Sequence, residues 1–227
     1  MNHPIPSRNP RRPGFTLVEL LVVIAIIALL AGIVIPLAGL ANRKKIIARA
    51  QVQIKALDLA INQYKSKLGF YPPDNTNSAG TNQLFYELLG ATVSAGPPNA
   101  ANPVYTNTFN ARDTISSNTV ANVFSSGGIV NSSPDPTQVQ NFIPGISPSM
   151  VKQANIGGNQ VWVFASPTPG PATGMVPAVG GGTINPVRYI SSNPTNNPAA
   201  GYDLWVDVII GGATYRISNW STEPQAY

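Results

Sequence analysis

The chain has 227 residues, of which 43% are hydrophobic and only 10% are charged, whereas about a quarter are charged in an ordinary soluble domain. It contains no cysteine, which excludes disulfides, thiolate metal sites and cysteine nucleophiles. Its one histidine is His3, so the rest of the chain lacks the residue that most triad hydrolases and zinc enzymes require. Composition therefore argues against common hydrolytic chemistry, and we expect neither an enzyme nor a cofactor.

The net charge of +5 comes largely from two basic clusters that flank one apolar block. Flanking clusters of this kind are typical of a membrane segment, so we predict no specific nucleic-acid binding. Because the clusters are similar in size, charge alone does not orient the segment. The basic residues before the block are Arg8, Arg11 and Arg12, and those after it are Arg43, Lys44, Lys45 and Arg49.

The apolar block follows a polar, proline-rich stretch at residues 1–14. From Leu20 to Ala41 no residue is charged, which is long enough for a helix to cross a bilayer at about 20 residues per hydrocarbon core. A secretory signal has a shorter apolar stretch of about 7–15 residues, followed by a small-residue cleavage site. We therefore predict a retained membrane anchor rather than a signal peptide.

Glu19 stands at the entrance of the apolar run, where a carboxylate is a functional candidate because it is costly near membrane depth. The alternative is that Glu19 is simply solvated at the headgroup interface. Its surroundings, Arg12-Pro13-Gly14-Phe15-Thr16-Leu17-Val18-Glu19-Leu20, resemble the processing motif of type IV prepilins and pseudopilins. The resemblance is strong over residues 8–40, weaker to about residue 73 and patchy beyond.

This resemblance implies that a prepilin peptidase cuts between Gly14 and Phe15 and that the new amine of Phe15 is N-methylated. It also implies that the Glu19 carboxylate pairs with the Phe15 amine of a neighbouring subunit. Each charge would then be neutralised in a low-dielectric core, and the axial register of the filament would be set. Pro36 is either a tolerated kink or, as the resemblance implies, a point where the helix loosens on assembly.

Apolar residues continue beyond the block at alternating spacings of three and four, which predicts an amphipathic helix. Gly69 and the prolines after it end the pattern, so we predict one helix from about Thr16 to Leu68. We expect its second half to pack under a globular part; a coiled-coil dimer is the alternative. The seam consists of Ile47, Ala50, Ile54, Leu57, Ile61, Tyr64 and Leu68.

The globular part begins with a predicted short helix over residues 81–90, capped by Thr81 or Asn82 and ended by Gly90. From about residue 91 to residue 200 the chain is rich in Pro, Gly, Asn, Ser and Thr. We predict mostly loops there, with brief strands at Gln160–Ala165 and Pro186–Ile190.

The C-terminal segment predicts a β-hairpin, because Tyr202–Ile210 and Ala213–Ile217 are rich in β-forming residues and are separated by two glycines. Trp205 and Tyr215 are expected in its core or rim. The predicted fold class is therefore α+β: a long N-terminal helix, membrane-spanning in its first half, packed against a small antiparallel sheet with long loops.

Three further segments resemble the major pseudopilins of type II secretion: Tyr64–Pro72, Tyr202–Trp205 and Ile217–Trp220. In those proteins an acidic calcium loop lies between the last two segments, whereas here two glycines stand in its place. Asp203 and Asp207 alone offer too few oxygens for the about 6–8 ligands of calcium. We predict that they are solvated or hydrogen-bonded, and we predict no metal site.

The predicted organisation is a leader at 1–14, a transmembrane or filament-core half-helix at 15–41, an amphipathic half-helix at 42–68 and an extracytoplasmic domain at 69–227. The leading functional hypothesis is a structural subunit of a type II secretion pseudopilus. The resemblance implies residence in the bacterial inner membrane, with the domain in the periplasm or outside. Its implied partners are prepilin peptidase, other copies of the chain, minor pseudopilins, an inner-membrane assembly platform and, before assembly, membrane lipid.

Two other hypotheses stay open. The first is a type IV pilus pilin for adhesion, motility or DNA uptake. The second is a membrane-anchored enzyme or binding module, for which a convergent acid–base site would be needed. Nothing in the spacing of the carboxylates pairs two of them for such chemistry. The carboxylates considered are Glu87, Asp113, Asp135, Asp203 and Asp207.

Overall fold

A computed structural model describes residues 14–94 and 102–226, with residues 34–38 described by their backbone only. The chain divides into two units between Lys44 and Lys45. Most of the predicted leader lies outside the described residues. The helices are α1 (Leu17–Leu68), α2 (Leu84–Leu89) and α3 (Ser117–Phe124), with short 3-10 turns at Pro136–Gln138 and Pro148–Met150.

The described strands form three four-stranded sheets, with the orders β3-β2-β1-β4, β5-β6-β8-β7 and β12-β11-β10-β9. Apart from β1 and β4, which are parallel, the paired strands are antiparallel. The α+β class is thus confirmed, although the sheet structure is larger than predicted. The strands are β1 (Ala91–Ser94), β2 (Val104–Asn107), β3 (Thr114–Ser116), β4 (Ser132–Ser133), β5 (Val151–Ile156), β6 (Asn159–Ser166), β7 (Val176–Pro177), β8 (Thr183–Pro186), β9 (Arg188–Ile190), β10 (Asp203–Ile210), β11 (Ala213–Ser218) and β12 (Gln225–Ala226).

The long helix matches its prediction to within one residue. In the second unit its seam is the core side: Ile54, Leu57 and Ile61 are at most 2% exposed. Burying side chains of this size contributes about 1.5–3 kcal/mol each. The helix ends at Leu68. Gly69 follows it with a φ of 89°, which suits the left-handed position after a helix, and its N–H donates to the Lys65 carbonyl at 2.8 Å.

In the first unit, the described side chains of α1 are exposed all around the helix. Among the residues that the structure describes, no helix is both long and apolar enough to cross a membrane. The backbone is helical through position 36, and the predicted kink at Pro36 stays a prediction. The large exposed side chains include Leu17, Leu20, Leu21, Ile24, Ile27 and Leu30.

The short helix α2 begins later than predicted, because its N-cap is Gln83 and not Thr81 or Asn82. The Asn82 side chain still contacts the start of the helix, because its Oδ1 accepts from the Leu84 N–H at 3.2 Å, while its Nδ2 donates to the carbonyls of Ala79 and Val187 at 2.7 and 3.0 Å. All six residues of α2 are buried, so the helix lies inside the core rather than on its surface. Gly90 ends it as predicted, and its N–H donates to the Tyr86 carbonyl at 2.9 Å.

Replacing Gly90 by alanine is expected to lower the free energy of unfolding by about 2–4 kcal/mol. Its φ of 79° and ψ of 159° are essentially restricted to glycine, and an added Cβ would overlap Val139 Cγ1 and lie 2.9 Å from the Gln140 carbonyl oxygen. Gly158→Ala is the matched control, because that site has a φ of 85° but no neighbour within 4 Å of a Cβ. It should cost about 1 kcal/mol. Equal losses in denaturant titrations of the two variants would contradict the steric argument.

Residues 91–200 contain more strands than the two predicted, although fewer than half of the described residues there lie in a helix or strand. This stretch contains β1 to β9 and α3, and only β6 matches a predicted strand closely. The predicted strand Pro186–Ile190 is interrupted at Val187, whose N–H donates to the Phe164 carbonyl at 2.8 Å. The second sheet also curls on itself, since Ala178 bridges Ala154 and the Val179 N–H donates to the Gln153 carbonyl at 3.0 Å.

The C-terminal hairpin is confirmed, with β10 and β11 paired from Ile210 opposite Ala213 to Trp205 opposite Ser218. Gly211 and Gly212 have φ values of 61° and 84°, as a two-residue turn with two left-handed positions requires. Trp205 is buried and its ring lies 5.9 Å from that of Trp220.

Candidate functional site

The predicted cleavage junction is open in the structure. Gly14 and Phe15 lie in the non-helical segment directly before α1, and Phe15 is 82% exposed. No described atom lies within 4 Å of the position that a Gly14 Cβ would occupy. An exposed peptide bond outside regular secondary structure is one that a peptidase can reach.

Glu19 lies on the first turn of α1, where it forms a capping box with Thr16. Its Oε2 accepts hydrogen bonds from the Thr16 N–H at 2.8 Å and from Thr16 Oγ1 at 2.7 Å. In return, the Glu19 N–H donates to Thr16 Oγ1 at 3.3 Å. Sequence reasoning missed this role, although the signal Thr-x-x-Glu was present. Glu19 therefore has a helix-capping function within its own chain.

The capping geometry uses only one of the two Glu19 carboxylate oxygens as an acceptor. Both hydrogen bonds from Thr16 go to Oε2, and Oε1 accepts none from the part of the chain that the structure describes. The side chain is exposed at the start of the helix. A neighbouring cation can therefore reach Oε1 without breaking the cap.

Glu87 is buried among four donors, which sequence reasoning also missed. Its oxygens accept from Tyr64 Oη at 2.8 Å, from Gln83 Nε2 at 2.8 Å and from the N–H groups of Val130 and Asn131 at 2.8 and 2.9 Å. Burial raises the pKa of Glu87, and the two backbone donors oppose this effect. Glu87 ties α1, α2 and the segment before β4 together.

Asp203 and Asp207 are buried and hydrogen-bonded, so the second of the two predicted alternatives, solvated or hydrogen-bonded, is the one that the structure shows. Asp203 accepts from the N–H groups of residues 195–197 at 2.6 to 3.2 Å. Asp207 accepts from Arg216 at 2.8 and 3.1 Å and lies 3.8 Å from Arg188. Donors thus surround both carboxylates, and within the described ranges no group of His, Cys, Asp or Glu is placed to hold a metal.

We expect calcium not to bind at Asp203 and Asp207, because hydrogen-bond donors already occupy their oxygens. We expect the thermal unfolding midpoint of the full-length chain to be the same with calcium and with a chelator. Asp203→Asn, by contrast, should cost about 2–4 kcal/mol, because its amide would face backbone N–H groups that need an acceptor. A midpoint that falls on chelation in the wild-type chain would contradict this account.

The carboxylates considered for acid–base chemistry are not brought together. Asp113 accepts from Asn110, Gln153 and Trp162, whereas Asp135 caps the 3-10 turn at Thr137. Among the described residues, no donor is shared between two of the five carboxylates. The arrangement offers no support for an acid–base pair.

Comparison with known proteins found a match in the N-terminal segment. No similarity to a curated protein or to a solved structure was found. Residues 9–35 match the family described as the prokaryotic N-terminal methylation motif. The matched stretch contains the Gly14–Phe15 junction, the Thr16–Glu19 capping box and most of the apolar block. The match indicates a type IV pilin-like protein that is processed by prepilin peptidase.

Proposed function

We propose that the chain is a structural subunit of a type II secretion pseudopilus, a helical filament that aids protein export. In this proposal the peptidase cuts between Gly14 and Phe15, and Phe15 is then N-methylated. The observation that carries it is the order of the N-terminal features: an exposed junction, a capped helix start and an apolar helix without a cover.

Assembly gives this exposed apolar helix a cover. Residues 15–41 lie in lipid before assembly, anchored in the bacterial inner membrane, and pack against other copies and minor pseudopilins afterwards. Residues 42–68 hold the extracytoplasmic domain at 69–227. Glu19 Oε1 accepts from the Phe15 amine of a neighbour, which neutralises both charges and sets the register. The helix loosens at Pro36 when the assembly platform draws it from the membrane.

A second candidate function is a type IV pilus pilin for adhesion, motility or DNA uptake. The observation that favours it is the folded middle of the chain, where two sheets and α3 lie among the expected loops. An ordered domain of this size offers a surface that a displayed pilus can present.

Deletion of the gene in its own bacterium tests the choice between these functions. The pseudopilus proposal predicts that proteins normally secreted into the medium accumulate in the periplasm, whereas twitching and DNA uptake continue. Loss of twitching or DNA uptake with normal secretion would favour the pilus. A strain unaffected in all three, with the chain still anchored as a monomer, would contradict both.

A further inference from the structure

A cavity of about 260 Å³ lies where β3 of the first sheet approaches β5 and β6 of the second. Its lining is almost entirely polar and includes Arg112, Asp113, Gln153 and Gln160. The volume lies just below the about 300–1,000 Å³ of pockets that hold drug-sized ligands, so it suits a ligand of one ring. The described residues that line it all belong to the second unit.

Asp113 is the fixed acceptor of this cavity. Its Oδ2 accepts from Trp162 Nε1 at 2.7 Å, from Asn110 Nδ2 at 2.6 Å and from Gln153 Nε2 at 3.1 Å. Three donors on one oxygen hold the carboxylate in a single orientation. Its Oδ1 accepts no hydrogen bond from the described residues, so one charged acceptor is left available.

Donors without partners surround this acceptor. The side chains of Arg112 and Gln160 are exposed and form no hydrogen bond or ion pair with residues 14–94 or 102–226. Tyr86 is 2% exposed, and its oxygen accepts from the Trp162 N–H at 3.0 Å, so its own hydrogen is left to donate. Arg112 follows Ala111, whose φ of 53° is uncommon for a residue other than glycine and is typical of functional sites.

The mixture of groups decides the class of ligand. Asp113 would repel a simple anion, and Arg112 would repel a simple cation. An apolar molecule would leave both charged groups without a partner. The Trp162 ring already stacks on Phe85, with centroids 5.7 Å apart, so the ligand is recognised mainly by hydrogen bonds. Adjacent hydroxyl groups fit this chemistry, because each can donate to Asp113 Oδ1 and accept from Arg112 or Gln160.

We propose that this cavity binds a neutral sugar ring through adjacent hydroxyl groups, with Asp113 as acceptor and Arg112 and Gln160 as donors. The proposal does not depend on filament assembly, and its test needs no filament.

The test is a titration followed by the indole N–H signals of the full-length chain in NMR, because Trp162 Nε1 is bonded to Asp113. The chain is held in a detergent without a sugar headgroup, and glucose, galactose, mannose and N-acetylglucosamine are added separately. At least one sugar is expected to shift the Trp162 signal. Arg112→Ala and Gln160→Ala should each weaken that binding about tenfold, since each loses a hydrogen-bonding partner. Lys152→Ala, an exposed neighbour outside the cavity, should bind as the wild type does.

Three outcomes would overturn the proposal: no shift of the Trp162 signal with any of the sugars, equal shifts in the wild type and the Arg112→Ala variant, or a shift with inorganic phosphate alone. If a glycan binds more tightly than its free sugar, the natural ligand is a sugar ring of a surface polysaccharide. Equal binding identifies the free sugar.

Discussion

Substituting Glu19 by glutamine is expected to lower the yield of filaments more than about 100-fold while leaving the start of α1 intact. Glutamine also serves at this position of a capping box, so the hydrogen bond to the Thr16 N–H at 2.8 Å can persist. What glutamine lacks is the negative charge that we propose for pairing with the Phe15 amine of a neighbour. Filaments sheared from cells and counted by electron microscopy measure the effect.

Thr16→Val is the matched control, because it removes the hydroxyl of the cap but keeps the Glu19 charge. It should cost about 1 kcal/mol of helix stability and leave filaments at nearly the wild-type yield. If the glutamine variant assembles normally and the valine variant does not, capping rather than charge pairing is the function of Glu19.

Replacing Glu87 by alanine is expected to lower the free energy of unfolding by about 3–5 kcal/mol, a large share of a typical total of about 5–15 kcal/mol. Four donors, including Tyr64 Oη and the Asn131 N–H, would lose their acceptor inside the core. A buried donor that has lost its acceptor destabilises the fold by its desolvation penalty, even where the intact hydrogen bond contributed little to stability. Denaturant titration of the full-length chain in detergent measures the change.

Tyr64→Phe is the matched control for Glu87, since it removes one donor and keeps the ring. It should cost about 1 kcal/mol. If alanine at position 87 costs no more than phenylalanine at position 64, the other three hydrogen bonds are not formed in solution.

Glu87 should also make stability depend on pH. Burial raises the pKa of Glu87 in the folded chain, whereas in the unfolded chain it ionises near its ordinary value of about 4.3. Between these two values the folded chain holds a proton that the unfolded chain has released, so the free energy of unfolding falls as pH rises through that window. Glu87→Gln should remove this fall, and parallel pH profiles for the two proteins would contradict the assignment.

The parts of the fold that sequence reasoning predicted well are those with a strong periodic signal. The seam from Ile54 to Tyr64 predicted both the helix and its buried side, and two glycines predicted the hairpin turn. The N-terminal motif was readable because its Gly-Phe junction, its glutamate and its apolar run are local in sequence.

The middle of the chain was not predicted because its order depends on contacts distant in sequence. β5 buries Val151 and Ala154, three residues apart, instead of alternating, since Ala154 also bridges Ala178. Apart from Gln83, which is four positions away, the donors to Glu87 come from residues 23 and more than 40 positions away in sequence. Nothing local distinguishes such a carboxylate from an exposed one. The same holds for the polar cavity at Asp113.

The most direct test of the central claim is the N-terminus of the chain from membranes of cells with and without prepilin peptidase. Intact mass and N-terminal sequencing should show a mature chain that begins at Phe15, carries one N-methyl group and appears only when the peptidase is present. A chain that retains residues 1–14 in cells with the peptidase, or that is cut beyond the apolar run, would contradict the account.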